Sequence, residues 1–160
     1  MNQRCSQRGG TAIGYIADLD HVEAATVIYL RLWASGPSGQ TDIWQDMAAA
    51  LGPKKAEKAL DAFGQLLKLC ARYSRRPLMH HNISCKCLGA DEACFATFIS
   101  AAASGDRDDA MLMATLLVRP DVAPLITSLA TNFGLALKQM DLAAPRERTM
   151  SIAAKATTLH

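Results

Sequence analysis

Residues 121–140 read DVAPLITSLATNFGLALKQM and carry the clearest amphipathic pattern in the chain. Apolar side chains recur there at intervals of three and four residues, which places them on one face of an α-helix. Asp121 stands where a helix N-cap is expected, and Pro124 falls in the first turn, where a helix tolerates proline. The predicted core face comprises Val122, Leu125, Ile126, Leu129, Phe133, Ala136, Leu137 and Met140. This segment therefore predicts a long helix that packs against a hydrophobic core.

Three further helices are predicted on the N-terminal side of the chain. Asp20, followed by Glu23 three residues later, has the spacing of a capping box at the start of a first helix. Gly36-Pro37 ends that helix, and Thr41 is the expected cap of a short second one. Gly52-Pro53 then separates the second helix from a third, in which proline occupies the first turn.

Two more helices precede the quoted segment. The fourth is expected to begin near Asp91-Glu92, and the fifth, over residues 106–118, is apolar almost all round, which is typical of a central, covered helix. No segment alternates with period two for long enough to predict a strand. The sequence thus predicts an all-α protein, an irregular bundle of about six helices that forms a single domain over residues 1–160. Residues 1–17 and 145–160 are expected to be weakly ordered or peripheral, and only residues 12–17 of the first segment look able to dock.

Composition restricts the classes of function. Half of the residues are hydrophobic, a fifth are charged and the net charge is +2, which is the balance of a globular protein without a strong positive field. We therefore expect nucleic-acid binding to be absent or weak. We find no secretory signal and no apolar segment that could span a membrane, and the five cysteines are an odd number. These features predict a cytoplasmic protein with reduced thiols and no membrane partner.

The loop between the third and fourth helices holds the side chains with the most versatile chemistry. Residues 80–94 contain four candidate metal ligands, with imidazole and thiolate groups of the kind that Zn²⁺ prefers: His81, Cys85, Cys87 and Cys94. Four such ligands would make a closed, structural zinc site, in which His80 could replace His81. Two features favour ordinary packing instead: one residue separates Cys85 from Cys87, and Cys94 lies on the apolar face of its helix.

The same loop allows a thiol-based alternative. Lys86 between Cys85 and Cys87 favours the reactive thiolate form, and a one-residue spacing can close a strained, easily reduced disulfide. The strand–helix context and two-residue spacing of thioredoxin-like sites are missing.

Residues 42–63 match half of a DNA-binding helix-turn-helix. The first half fits, with an apolar residue, a small residue and a glycine turn at Met47, Ala48, Leu51 and Gly52. The second half does not, because Lys58 and Asp61 stand where apolar residues would pack the recognition helix. Lys54, Lys55 and Lys58 could contact phosphates, although no base-reading set accompanies them.

No catalytic set accompanies these patterns. The sequence has neither a nucleophile elbow around Ser84 nor a phosphate-binding loop after Gly36, so it favours a non-enzymatic function and leaves enzymatic activity open. The remaining interpretation is a small partner-binding or regulatory protein that acts through a protein partner or through self-association, for example as a dimer. A zinc- or thiol-dependent site at residues 80–94 and a degenerate helix-turn-helix at residues 42–63 are the two alternatives.

Overall fold

The structure is a computed structural model that describes residues 8–157 and the side chains of residues 9–142. Six helices dominate these residues: α1 (His21–Ala34), α2 (Pro37–Leu51), α3 (Pro53–Tyr73), α4 (Ala90–Ala103), α5 (Arg107–Leu117) and α6 (Ala123–Thr157). Two short strands, β1 (Ala12–Tyr15) and β2 (Cys87–Gly89), and two 3₁₀ helices, Arg8–Gly10 and Ile16–Asp18, complete the described elements. The predicted all-α bundle is confirmed.

Helix α6 is the centre of the bundle, since it contacts each of the other five helices. Its Phe133 ring stacks on Phe63 of α3 with centroids 4.3 Å apart, and the ring of Trp33 of α1 lies nearly perpendicular to that of Phe63 with centroids 5.5 Å apart. Gly134 allows α4 to approach closely, because a Cβ atom at this position would lie 2.7 Å from the Cβ of Ala103. An aromatic cluster thus joins α1, α3 and α6, and α4 packs on α6 at Gly134.

Helix α5 lies at the edge of the bundle, so its predicted central position is wrong. Leu112 and Leu116 are 66% and 70% exposed, and the buried positions of this helix are Ala110, Ala114 and Leu117. Small alanines form the contact face because they let helices approach closely, and the larger leucines are left on the outer side. Leu125 of α6, predicted to lie in the core, is likewise 52% exposed, whereas Leu129 is partly buried against the core.

Several helix ends differ from the predicted ones. The cap of α1 is confirmed by a 2.8 Å hydrogen bond from the Glu23 backbone N–H to Asp20 Oδ1. Helix α2 begins at Pro37, and Thr41 lies inside it, donating its hydroxyl to the Pro37 carbonyl. Helix α6 begins at Ala123, so Val122 and not Asp121 directly precedes it, and Asp121 forms two side-chain hydrogen bonds with Arg119.

Helix α6 runs through Pro145 to Thr157, beyond the end that the sequence predicts. Proline removes one backbone donor and strains a helix without always ending it. The side chains of the predicted peripheral segment 145–160 lie outside the described residues, as do residues 1–7 with Cys5.

The two short strands correct the expectation that the chain contains none. β1 and β2 pair antiparallel, with Ala12 opposite Gly89 and Tyr15 opposite Cys87. Strands of four and three residues are too short to show the alternating pattern on which the prediction depends. Their pairing ties residues 12–15 to the end of the long loop that follows α3.

None of the helices in the part of the chain that the structure describes combines the length and the apolar character needed to cross a membrane.

Candidate functional site

A buried ion pair organises the loop between α3 and α4. Arg31, in the last turn of α1, and Glu92, in the first turn of α4, have side chains that are 1% and 0% exposed. Arg31 Nε lies 2.7 Å from Glu92 Oε1, and Nη2 lies 2.9 Å from Oε2, so the contact is bidentate. A pair this well aligned offsets the cost of removing both charges from water.

The same two side chains bind the loop backbone. Arg31 donates to the carbonyl oxygens of three loop residues at 2.6–3.1 Å: Asn82, Cys85 and Cys87. Glu92 accepts the backbone N–H groups of His81 and Gly89 at 3.0 and 2.9 Å. Burial alone would raise the pKa of Glu92, but the hydrogen bonds from Arg31 and the two N–H groups outweigh it and hold the pKa below its usual value. The contacts of Arg31 and Glu92 with the backbone therefore fix the loop independently of its own side chains.

Asp91, the neighbour of Glu92, holds the end of α3 and the start of the loop. Arg76 donates two hydrogen bonds to its carboxylate at 2.6 and 2.7 Å, and the Met79 backbone N–H donates a third at 2.8 Å. Burial would raise the pKa of Asp91, whereas these donors lower it, and the net pKa lies below the usual value. The sequence interpretation that Asp91 and Glu92 open α4 is correct, but it missed their long-range partners.

The predicted zinc ligands are neighbours in sequence but do not form a cluster of donors. Among the described residues, no group of three or more His, Cys, Asp or Glu side chains is placed to hold a metal ion. Cys94 is half-buried on α4, and burial together with nearby Asp91 raises the pKa of its thiol, which disfavours the thiolate that zinc binds. His81 Nε2 is buried and has no hydrogen-bond partner within residues 9–142. Zinc binding by His81, Cys85, Cys87 and Cys94 stays a prediction.

The thiol-based alternative is also not realised as a disulfide, because Cys85 is a free cysteine in this structure. Cys70 is buried on α3, and burial raises the pKa of its thiol to about 12, so it behaves as an inert apolar side chain.

The outer face of α3, together with two arginines that follow this helix, presents a second candidate site. Seven of the chain's 17 Lys and Arg residues lie in residues 54–76, where all seven are exposed: Lys54, Lys55, Lys58, Lys68, Arg72, Arg75 and Arg76. We call this set the basic face of α3. Only two acids, Glu57 and Asp61, share the segment. Positions 54, 58, 61, 65, 68 and 72 follow each other at steps of three and four, so they form one line along the helix, opposite its buried residues.

Neighbouring groups leave most of these charges available. Among the ion pairs of residues 9–142, only that of Arg76 with Asp91 uses a member of the basic face. Near the C-terminal end of α3, the guanidinium groups of Arg72 and Arg119 each lie 5.4 Å from the centre of the Tyr73 ring. These cation–π contacts orient two cations at the same end of the helix.

The structure also bears on the helix-turn-helix comparison. A single residue, Gly52 with φ +85°, connects α2 to α3, which is shorter than the three- or four-residue turn of that motif. Lys58 and Asp61 are exposed, as expected from their polarity, whereas the motif would bury the corresponding residues. The basic face of α3 is thus presented differently from a recognition helix of this class.

Sequence reasoning missed Arg31 and the continuity of the basic face. A lone arginine within the apolar run Ile28–Ala34 is a signal for a buried, paired charge. The continuity of the basic face is lost when only residues 42–63 are compared with the helix-turn-helix, because Lys68 and the three arginines lie beyond that segment. No family model, no curated protein and no solved structure matches this chain.

Proposed function

We propose that this protein binds nucleic acid through the basic face of α3. The observation that carries the proposal is the segregation of charge: residues 54–76 hold seven cations and two acids, whereas the rest of the chain has more acids than Lys and Arg. The net charge of +2, from which we expect little or no nucleic-acid binding, is the sum of a positive segment and a negative remainder. A phosphate backbone responds to the local density of exposed cations, so the local excess is the relevant quantity.

The composition of this face favours nucleic acid over a protein partner. Protein interfaces depend on desolvated aromatic or aliphatic anchors at their centre. Of the large apolar side chains that are exposed within residues 9–142, none lies on α3. Interfaces with DNA are more polar and far more positive than protein interfaces, which matches this surface. The same lack of apolar anchors argues against insertion into a membrane surface.

The underside of α3 makes the face rigid. Five of its buried residues lie in the main core: Ala56, Ala59, Phe63, Leu66 and Cys70. Because this packing fixes the helix, its exposed cations are presented in a constant arrangement, and little conformational entropy of the backbone is lost on binding.

The proposal is tested by fluorescence anisotropy with a labelled DNA duplex of about 20 base pairs, near two helical turns, titrated at about 50 and 200 mM salt. The test variant replaces Lys58, Lys68 and Arg72 together by alanine. Loss of three phosphate contacts should weaken binding at low salt and reduce the slope of log K against log salt by about 2.7. All three side chains are exposed, so the variant should fold.

A matched control removes the same charge elsewhere, through alanine at Lys86, Arg107 and Lys138. We expect this control to bind almost as well as the wild type. Equal losses in the two triple variants, or no binding of any nucleic acid at low salt, would refute the proposal. Tighter binding to poly-glutamate than to nucleic acid would show that the face serves an acidic protein partner instead.

Binding of a protein partner elsewhere on the surface stays a prediction, as does self-association. Sedimentation velocity over a range of protein concentrations measures self-association.

A further inference from the structure

We infer that α3 lies in the major groove of a B-form DNA duplex, with Asp61 and Gln65 facing the base edges. The inference rests on the proposed function and adds to it the form of the nucleic acid and the residues that would read it. It follows from how charge is distributed along the line of exposed residues on α3.

The cations of the basic face form two groups with a gap between them. Lys54, Lys55 and Lys58 lie in the first two turns of α3, and the next cation is Lys68. Ten residues of helix span about 15 Å, which is comparable to the major-groove width of about 12 Å. A helix whose axis crosses that groove would place one group near each of the two bordering phosphate rows.

The middle of the line is occupied by groups that suit bases better than phosphates. Asp61 and Gln65 are exposed there, and Gln65 Nε2 donates to Asp61 Oδ2 at 2.7 Å. A carboxylate is repelled by phosphate but accepts a hydrogen bond from the amino group of cytosine. If a phosphate backbone ran along the whole basic face, the acid at its centre would weaken binding. If the centre faced the bases of a duplex, the acid would meet no phosphate.

Gln65 has the hydrogen-bonding groups to read adenine. One of its two amide hydrogens is donated to Asp61, which favours one orientation of the amide. The second hydrogen and the amide oxygen remain for N7 and the amino group of adenine, the pairing that glutamine makes in the major groove. Orientation by a neighbouring side chain is what a specific contact requires, because a freely rotating amide would lose entropy on binding.

Single-stranded nucleic acid fits this face less well. Its binding sites stack bases on exposed aromatic rings. The aromatic residues of α3 are Phe63, which is buried, and Tyr73, which is half-buried and lies beside two guanidinium groups. Duplex RNA is disfavoured because its major groove is too narrow and deep for side chains to read.

The experiment selects from a randomised pool of DNA duplexes with the full-length protein, and then measures the affinity of three proteins for the selected sequence and for an unselected one. Wild type should enrich a short motif containing adenine. Gln65→Ala should lose roughly 5- to 150-fold in affinity for the selected duplex and little for the unselected one. Lys58→Ala, the matched control on the same helix, should weaken both duplexes by the same factor.

The outcomes separate this inference from the proposed function. If no motif is enriched, or if Gln65→Ala affects both duplexes equally while binding stays salt-dependent, the proposed function stands and the major-groove inference fails. Binding to a single strand that equals or exceeds binding to the duplex also overturns the inference. If no nucleic acid binds, both fail together.

Discussion

Replacement of Arg31 by methionine tests the claim that a buried ion pair holds the loop in place. The substitution preserves most of the side-chain volume but leaves Glu92, whose side chain is 0% exposed, without its counter-ion. Removing one partner of a buried pair costs about 3–5 kcal/mol, and the carbonyl groups of Asn82, Cys85 and Cys87 lose their donor as well. For a protein of this size, such a loss is a large fraction of the total stability.

Urea denaturation followed by circular dichroism measures the effect. We expect the midpoint of Arg31→Met to fall with little change in the slope, because the surface exposed on unfolding is nearly the same. Arg119→Met is the control, since its partner Asp121 is exposed and a surface pair contributes little. The double replacement of Arg31 and Glu92 by methionine should be less destabilised than Arg31→Met alone, because it leaves no unpaired charge. A midpoint for Arg31→Met within error of wild type would show that the buried pair does not stabilise the protein.

Three other measurements check separate parts of the structure. Asp91 and Glu92 have lowered pKa values in the folded protein. Each therefore contributes stability that is present above about pH 4 and is lost as the pH falls through the pKa of the folded state. Glu92→Gln should make the stability less dependent on pH in acid-unfolding curves. Gly134→Ala should lower Tm although alanine favours helices, because its Cβ would lie 2.7 Å from that of Ala103; a raised Tm would contradict the close packing of α4 on α6. The zinc hypothesis requires about one equivalent of metal in protein purified without chelator and its loss in Cys85→Ser; an equal Tm with and without added zinc would end it.

Local features of the fold could be predicted from the sequence because local chemistry determines them. The capping box at Asp20 and the proline start of α3 at Pro53 depend on residues a few positions apart, and both are confirmed. The exposure of Leu112 and Leu116 could not be predicted in this way. An apolar helix can lie at the centre or at the edge of a bundle, and only the packing of the other helices decides between them.

The two candidate sites differ in the same way, because one depends on a long-range contact and the other on a local pattern. Arg31 and Glu92 are 61 positions apart, so no local pattern connects them. From the sequence, the cysteines and histidines are the noticeable feature of the loop that these two residues hold. The basic face of α3, in contrast, is readable from a helical period alone. It was obscured because only Lys54, Lys55 and Lys58 fall within residues 42–63.

The two candidate sites are physically connected through the first turn of α4. Glu92 binds Arg31 of α1, and the adjacent Asp91 binds Arg76, which follows α3 and belongs to its basic face. Because both carboxylates lie in the same turn, the contacts that fix the loop also position the chain where α3 ends. Asp91 also neutralises Arg76, which leaves Lys68, Arg72 and Arg75 as the cations at that end that form no ion pair within residues 9–142. Through these contacts, the loop would hold one end of the basic face in a constant position.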